Sequence, residues 1–169
     1  MKKLHILSLL TTCLYLPLSS PYCYGAAPQQ AAIQYYTSAL QSYAQNPVKN
    51  ALLLAQIYNN MGMSYLALKD YAQTSHCYDK ALRIRQQALA IAISRHNAHC
   101  KSISISVGKS HHNLGHLYLA MHRPKAAMLA LQAALQTEWQ HHVEALDTQV
   151  SLAWAYPVSY THLTLPTKA

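Results

Sequence analysis

The chain of 169 residues has room for one ordinary domain, and 51% hydrophobic residues with only 11% charged is too apolar for a disordered tail. A net charge of +8 and four cysteines invite nucleic-acid, anionic-membrane, disulfide or metal readings, and all of these depend on where along the chain the residues fall. Four glycines, seven prolines and thirteen tyrosines with no phenylalanine exclude collagen-like and low-complexity classes.

Lys2 and Lys3 precede an apolar stretch over residues 4–18, which breaks at Ser19, Ser20 and Pro21 and reaches the small residues Gly25, Ala26 and Ala27. This pattern predicts a secretory signal peptide over residues 1–25, cleaved after Gly25 or Ala26. The apolar run is short of the ~20 residues of a spanning helix and carries His5, Thr11 and Thr12, so no membrane span is expected after cleavage. At the other end, Val158-Ser159-Tyr160-Thr161-His162-Leu163-Thr164-Leu165-Pro166-Thr167 resembles no protein motif but matches, in one frame, translated sequencing-adapter DNA of the transposase type. Residues 157–169 are therefore expected to be a non-native tail, with the native chain truncated after Tyr156. Residues 26–156 hold ten basic residues against five acidic ones, a net +5, and this smaller surplus does not point to nucleic acid.

Internal self-similarity fills residues 26–156. Tyr58-x-x-Met61-Gly62-x-x-Tyr65 recurs as His111-x-x-Leu114-Gly115-x-x-Tyr118, and each copy is followed by a second amphipathic segment. In those second segments Tyr78-x-x-Ala81-Leu82 aligns with Leu131-x-x-Ala134-Leu135. Upstream, Ala32-Ile33-x-Tyr35-Tyr36-x-x-Ala39-Leu40 is a further second segment; downstream, Leu152-Ala153-x-x-Tyr156 is a further first segment. The order is a half repeat (29–46), two full repeats (47–97 and 101–142) and another half (143–156). Pro47 opens the first full repeat, and Pro124 suits the first turn of a helix, where a missing N–H costs nothing. Residues 101–107 alternate like a strand, but a lone strand among helices has no partner, so a helix entrance is expected there.

These motifs resemble the tetratricopeptide repeat (TPR) family. The resemblance implies an all-α, right-handed solenoid of antiparallel helical hairpins. Small residues at Gly62, Gly115, Ala81 and Ala134 let helix axes approach to about 8–10 Å, while Tyr65, Tyr118, Leu82 and Leu135 fill the space beside them. Thr74 stands where the family prefers alanine, as Ala127 does in the next copy. The spacing is long: 42 residues from Ala39 to Ala81 and 53 from Ala81 to Ala134, against ~34 in a plain repeat. Long repeats of this kind are similar to the kinesin-light-chain type.

Little in the chain carries chemistry. The five acidic residues, Asp70, Asp79, Glu138, Glu144 and Asp147, make no paired-carboxylate spacing, and there is neither a phosphate-cradling glycine loop nor a nucleophile elbow, so no enzyme and no cofactor are expected. Cys13 and Cys23 precede the cleavage site. Cys77 and Cys100 are expected near opposite ends of one helical segment, roughly 35 Å apart and too far to bridge. Of nine histidines in the trimmed chain, His112 and His116 stand four apart on one helix face. Such a pair can ligate zinc or copper but needs further ligands, which Cys100 or His99 supply only if the connector folds back. The plainer expectation assigns no metal: His111 fills the core slot of Tyr58, and His112 and His116 are exposed polar residues that respond to pH.

The resemblance also implies that first helices of successive repeats line a concave groove for a peptide or protein. Transferred to matching positions, the groove residues are Asn59, Asn60 and Met63 in one repeat and Lys109, His112, Asn113 and His116 in the next. Asn60 and Asn113 share a slot two residues before the glycine, where a carboxamide can bond an extended backbone or simply sit on the helix surface. With Lys109 the sole basic groove candidate, a free C-terminal carboxylate is not the favoured ligand. The expected function is an exported interaction module, periplasmic or extracellular and of bacterial origin. The alternative is the N-terminal recognition arm of a larger enzyme or signalling protein.

Overall fold

Among the described residues, helical periodicity is carried through in six helices: α1 (Ala26–Tyr43), α2 (Ala51–Ala67), α3 (Tyr71–Ser94), α4 (Cys100–Ala120), α5 (Pro124–Gln140) and α6 (Leu146–Thr161). They belong to a computed structural model that describes residues 26–141 and 146–161; the expected signal peptide and residues 162–169 of the expected tail lie outside the described residues. Among the described residues there is no strand, and no helix is long and apolar enough to cross a membrane. Residues 101–107 are helical, because Ile103 and Val107, one helical turn apart, are both buried while Ile105 between them is only partly so. Pro47 lies in the turn between α1 and α2 rather than in a helix, and Asn50 closes that turn through its Nδ2, which donates to the Tyr43 carbonyl at 3.1 Å. The last helix runs past the expected boundary at residue 156 to Thr161.

Consecutive helices pack as antiparallel pairs, α2 on α3 and α4 on α5, and α4 also touches α6 across α5. The glycines make the pairs possible. A Cβ on Gly62 would stand 2.5 Å from Cε1 of Tyr78, and one on Gly115 would stand 2.6 Å from Cγ of Leu131, the residue in the same repeat slot. Ala81 and Ala134 are fully buried. Thr74 is fully buried too, and its hydroxyl is satisfied by donating to the Asp70 carbonyl at 2.7 Å, which is how the threonine is tolerated in an alanine slot. The core runs along the array as two clusters. One gathers Tyr78, Leu114, Leu117 and Ala130; the other gathers Ala127, Leu131 and Ala155, with Tyr118 packed against both.

Three helix ends share one geometry. Lys69, His96 and His122 have φ of 60°, 48° and 55°, the left-handed region where glycine is usual. At each, the next amide reaches back five residues: Asp70 to Tyr65 at 2.9 Å, Asn97 to Ala92 at 2.9 Å, Arg123 to Tyr118 at 2.8 Å. These are Schellman caps built without glycine. The α3 start is fixed from the other side, where the Asp70 carboxylate accepts from the Gln73 amide at 3.1 Å.

The turn at residues 95–99 corrects the cysteine geometry. Cys77 lies in α3 and Cys100 opens α4, so they belong to two antiparallel helices rather than one segment. Cys77 sits near the start of α3 and Cys100 beyond its end, roughly 25 Å away along ~17 residues of helix, and both are free thiols. Burial pushes the Cys77 thiol up to about 11, so it stays protonated.

Candidate interaction surface

Stacking one hairpin on the next brings first helices α2, α4 and α6 side by side, and a seam of polar side chains joins them. Asn113 Nδ2 of α4 donates to Asn59 Oδ1 of α2 at 2.7 Å. From α4 to α6, His112 Nδ1 meets Thr148 Oγ1 at 2.7 Å and His116 Nε2 meets Ser151 Oγ at 3.1 Å. His112 and His116 also meet each other, Nε2 to Nε2, at 2.8 Å.

The second helices feed the same seam with charge. Arg85 of α3 is buried, with 5% of its surface exposed, and donates to Gln56 Oε1 of α2 at 3.0 Å and to Ser110 Oγ and the Ser106 carbonyl of α4 at 2.6 and 3.3 Å. All three acceptors are neutral, and burial pulls the guanidinium below its ordinary value. Glu138 occupies the equivalent slot of α5, four residues after Ala134 as Arg85 is four after Ala81. Its Oε1 accepts from Thr148 Oγ1 at 3.0 Å. Ser110 and Thr148 are themselves equivalent, five residues before Gly115 and Ala153. One repeat slot thus holds a charged residue that grips a hydroxyl of the next first helix, with the sign of the charge inverted between copies.

The expected groove residues divide under this geometry. Asn59, with 7% of its surface exposed, is engaged inside the seam and is not offered to solvent; its Nδ2 contacts Met63 Sδ at 3.8 Å. Asn60 is half-buried and accepts from Gln56 Nε2 at 2.8 Å, so Asn60 and Asn113, though slot-mates, have different partners. Met63, Lys109 and His116 are exposed. His112 and Asn113 are partly buried, and the two histidines are links between helices rather than loose surface groups. His111 is partly buried in the Tyr58 slot, and that burial lowers its pKa from the ordinary 6.5. Cys100 and His99 stand at the start of α4, about three turns from His112, and cannot join it. Among the described residues no group of three or more His, Cys, Asp or Glu side chains converges as a metal site would require.

Neither α2 nor α4 carries a carboxylate, while Lys101 and Lys109 of α4 are exposed. The α2 and α4 part of the row is therefore neutral to basic, studded with amides and a thioether.

Hairpins stacked in this way, with small residues at each crossing, define a helical-repeat scaffold. Two segments match the tetratricopeptide repeat family, residues 55–88 and 108–138, and the chain is a tetratricopeptide-repeat protein. The crystal structure of BtubC (BKLC) from P. vanneervenii has the same fold, with a TM-score of 0.65 at 21% sequence identity over 79% of this chain and 50% of that one. The chain spans about half the length of that protein. No curated protein matches it. The repeats make it a protein–protein interaction module.

Proposed function

We propose that the module is exported and binds a peptide or an extended segment of a partner protein along the face formed by α2, α4 and α6. The observation that carries this reading is the exposure of Met63, Lys109 and His116 on a face whose helices are cross-linked into one row by Asn59–Asn113 and His112–Thr148. A row held rigid before the ligand arrives loses little entropy on binding. Side-chain amides there hydrogen-bond a peptide backbone, and Met63 adapts to apolar side chains. Export rests on the sequence of residues 1–25 alone.

The test is binding of a displayed peptide library to the full chain, repeated with Met63→Asp/Lys109→Glu and with Leu129→Asp. Leu129 is exposed on second helix α5, away from the row. The groove variant is expected to weaken the selected peptides at least tenfold and Leu129→Asp to leave them unchanged. Equal binding by the groove variant and the parent chain would exclude this face. A fusion of residues 1–30 to a reporter active only outside the cytoplasm tests export.

A further inference from the structure

The side-chain amides of α2 have their direction set from beneath. The Arg85 guanidinium can only donate, so Gln56 turns its Oε1 to it at 3.0 Å. Gln56 therefore points its Nε2 at Asn60 and donates to Oδ1 at 2.8 Å. Asn59 Oδ1 is taken by Asn113 Nδ2 at 2.7 Å. All three side-chain amide oxygens of α2 are thus used inside the seam, and half-buried Asn60 keeps its Nδ2 for donation. Lys109, in the Gln56 slot of the next repeat, adds a second group that only donates. The same row carries a periodic pattern. The slot after each small crossing residue holds Met63 after Gly62, His116 after Gly115 and Trp154 after Ala153; all three are exposed, Met63 by 40% and Trp154 by 72%. A soft or aromatic face thus recurs once per first helix. Helices bridged by a single pair of side chains, as Asn59 and Asn113 bridge α2 and α4, stand about 8–10 Å apart. A β-strand repeats its side-chain direction every ~6.7 Å, out of step with that spacing. A polyproline II helix repeats every three residues, about 9.3 Å, in step with it.

We propose that the segment bound along α2, α4 and α6 is proline-rich and held as a polyproline II helix; this rests on the peptide-binding role of that row and names its ligand class. Every third residue of the ligand packs on one rung, a proline ring on Met63, the next on His116 and the next on Trp154. Proline has no N–H, so the ligand brings carbonyls that accept from Asn60 Nδ2 and Lys109 Nζ. It brings few donors, and the α2 oxygens that would accept from them are already consumed by Arg85, Gln56 and Asn113. Both the ligand and the cross-linked row are stiff before they meet, which keeps the entropy lost on binding small.

The experiment measures by fluorescence anisotropy the affinity of the full chain for a labelled oligoproline of nine residues. Two controls stand beside it: an oligoproline of four residues, too short to reach from Met63 to Trp154, and a nine-residue peptide alternating threonine and glutamine. The long oligoproline is expected to bind at least tenfold more tightly than either. Trp154→Ala should weaken it at least tenfold. Asn60→Asp, which exchanges the donor for an oxygen and keeps the bond from Gln56, should weaken it about fivefold, and Trp139→Ala, on α5, should change nothing. Oligoproline bound no better than the threonine–glutamine peptide would overturn the ligand class; the groove itself stands if library peptides still lose affinity in Met63→Asp/Lys109→Glu, and falls if they do not. Oligoproline binding untouched by both Trp154→Ala and Met63→Asp/Lys109→Glu would overturn the proposal as well, by placing that ligand off the row.

Discussion

Arg85 is a full positive charge held in the interior by three neutral oxygens. Its aliphatic stem packs while its head ties α3 to α2 and α4, so truncation removes packing, leaves Gln56 Oε1 without its donor and leaves Ser110 Oγ only its own bond to the Ser106 carbonyl. Arg85→Ala is expected to destabilise the chain by about 2–4 kcal/mol in urea unfolding. Arg85→Met, which keeps the stem, should lose roughly half as much. Helical arithmetic exposes the position: Arg85 is seven residues after Tyr78 and four after Ala81, on the buried face. It escapes the sequence pattern because an arginine beside Arg83 reads as part of a solvated charged face, and only the packed hairpins show which of the two turns inward. His111 gives a second residue-scale outcome. Its folded pKa lies below the unfolded 6.5 because burial disfavours the charged ring, so the unfolded chain takes up more protons as pH falls. Stability contributed by the neutral ring is present above pH 6.5 and is lost progressively as pH drops from there toward the lower folded pKa. His111→Tyr, which places the side chain of the equivalent Tyr58 slot there, should flatten the fall in melting temperature over that window; an unchanged slope would assign the acid sensitivity to other groups.

At the scale of elements, the three glycine-free caps are the most economical target. Lys69 and His122 stand in the same repeat slot, seven residues after Gly62 and Gly115, and each holds a left-handed conformation that costs an L-residue roughly 1–2 kcal/mol. Lys69→Gly and His122→Gly should each raise stability by about 0.5–1 kcal/mol after the extra unfolded-state entropy of glycine is discounted. A loss of stability on either substitution would mean that the native side chain makes contacts worth more than its strain. The helices and their pairing were legible beforehand because Gly62 with Tyr78 and Gly115 with Leu131 repeat as steric pairs, and a crossing that admits only hydrogen leaves a residue-level trace. The caps were not, since lysine and histidine take the place of the residue that marks such a turn. The same gap hides the turn at residues 95–99, with His96 at its left-handed position, and so the separation of Cys77 and Cys100 onto two helices.

For the whole molecule, what matters is the order in which helices face one another. Repeat spacing shows that α2, α4 and α6 are equivalent and share a face, and the sequence therefore locates Asn59, Met63, Lys109, His112, Asn113 and His116 on neighbouring helices. Which of them bond to each other depends on the rotation between successive hairpins, set by the bulk of Tyr78 and Leu131 in the core and by the unequal helix lengths, and no local pattern encodes it. The outcome is a seam that takes Asn59, Asn113, His112 and His116 into inter-repeat bonds and leaves Met63, Lys109 and the exposed surface of His116 facing outward. Hydroxyl-radical footprinting of the full chain, with and without a peptide selected from the displayed library, tests that division most directly. Met63 on the first-helix row and Trp139 on second helix α5 are both exposed and both oxidise readily. Bound peptide is expected to protect Met63 several-fold and to leave Trp139 as reactive as before; protection of Trp139 with Met63 unchanged would place the partner on the opposite surface and contradict the account.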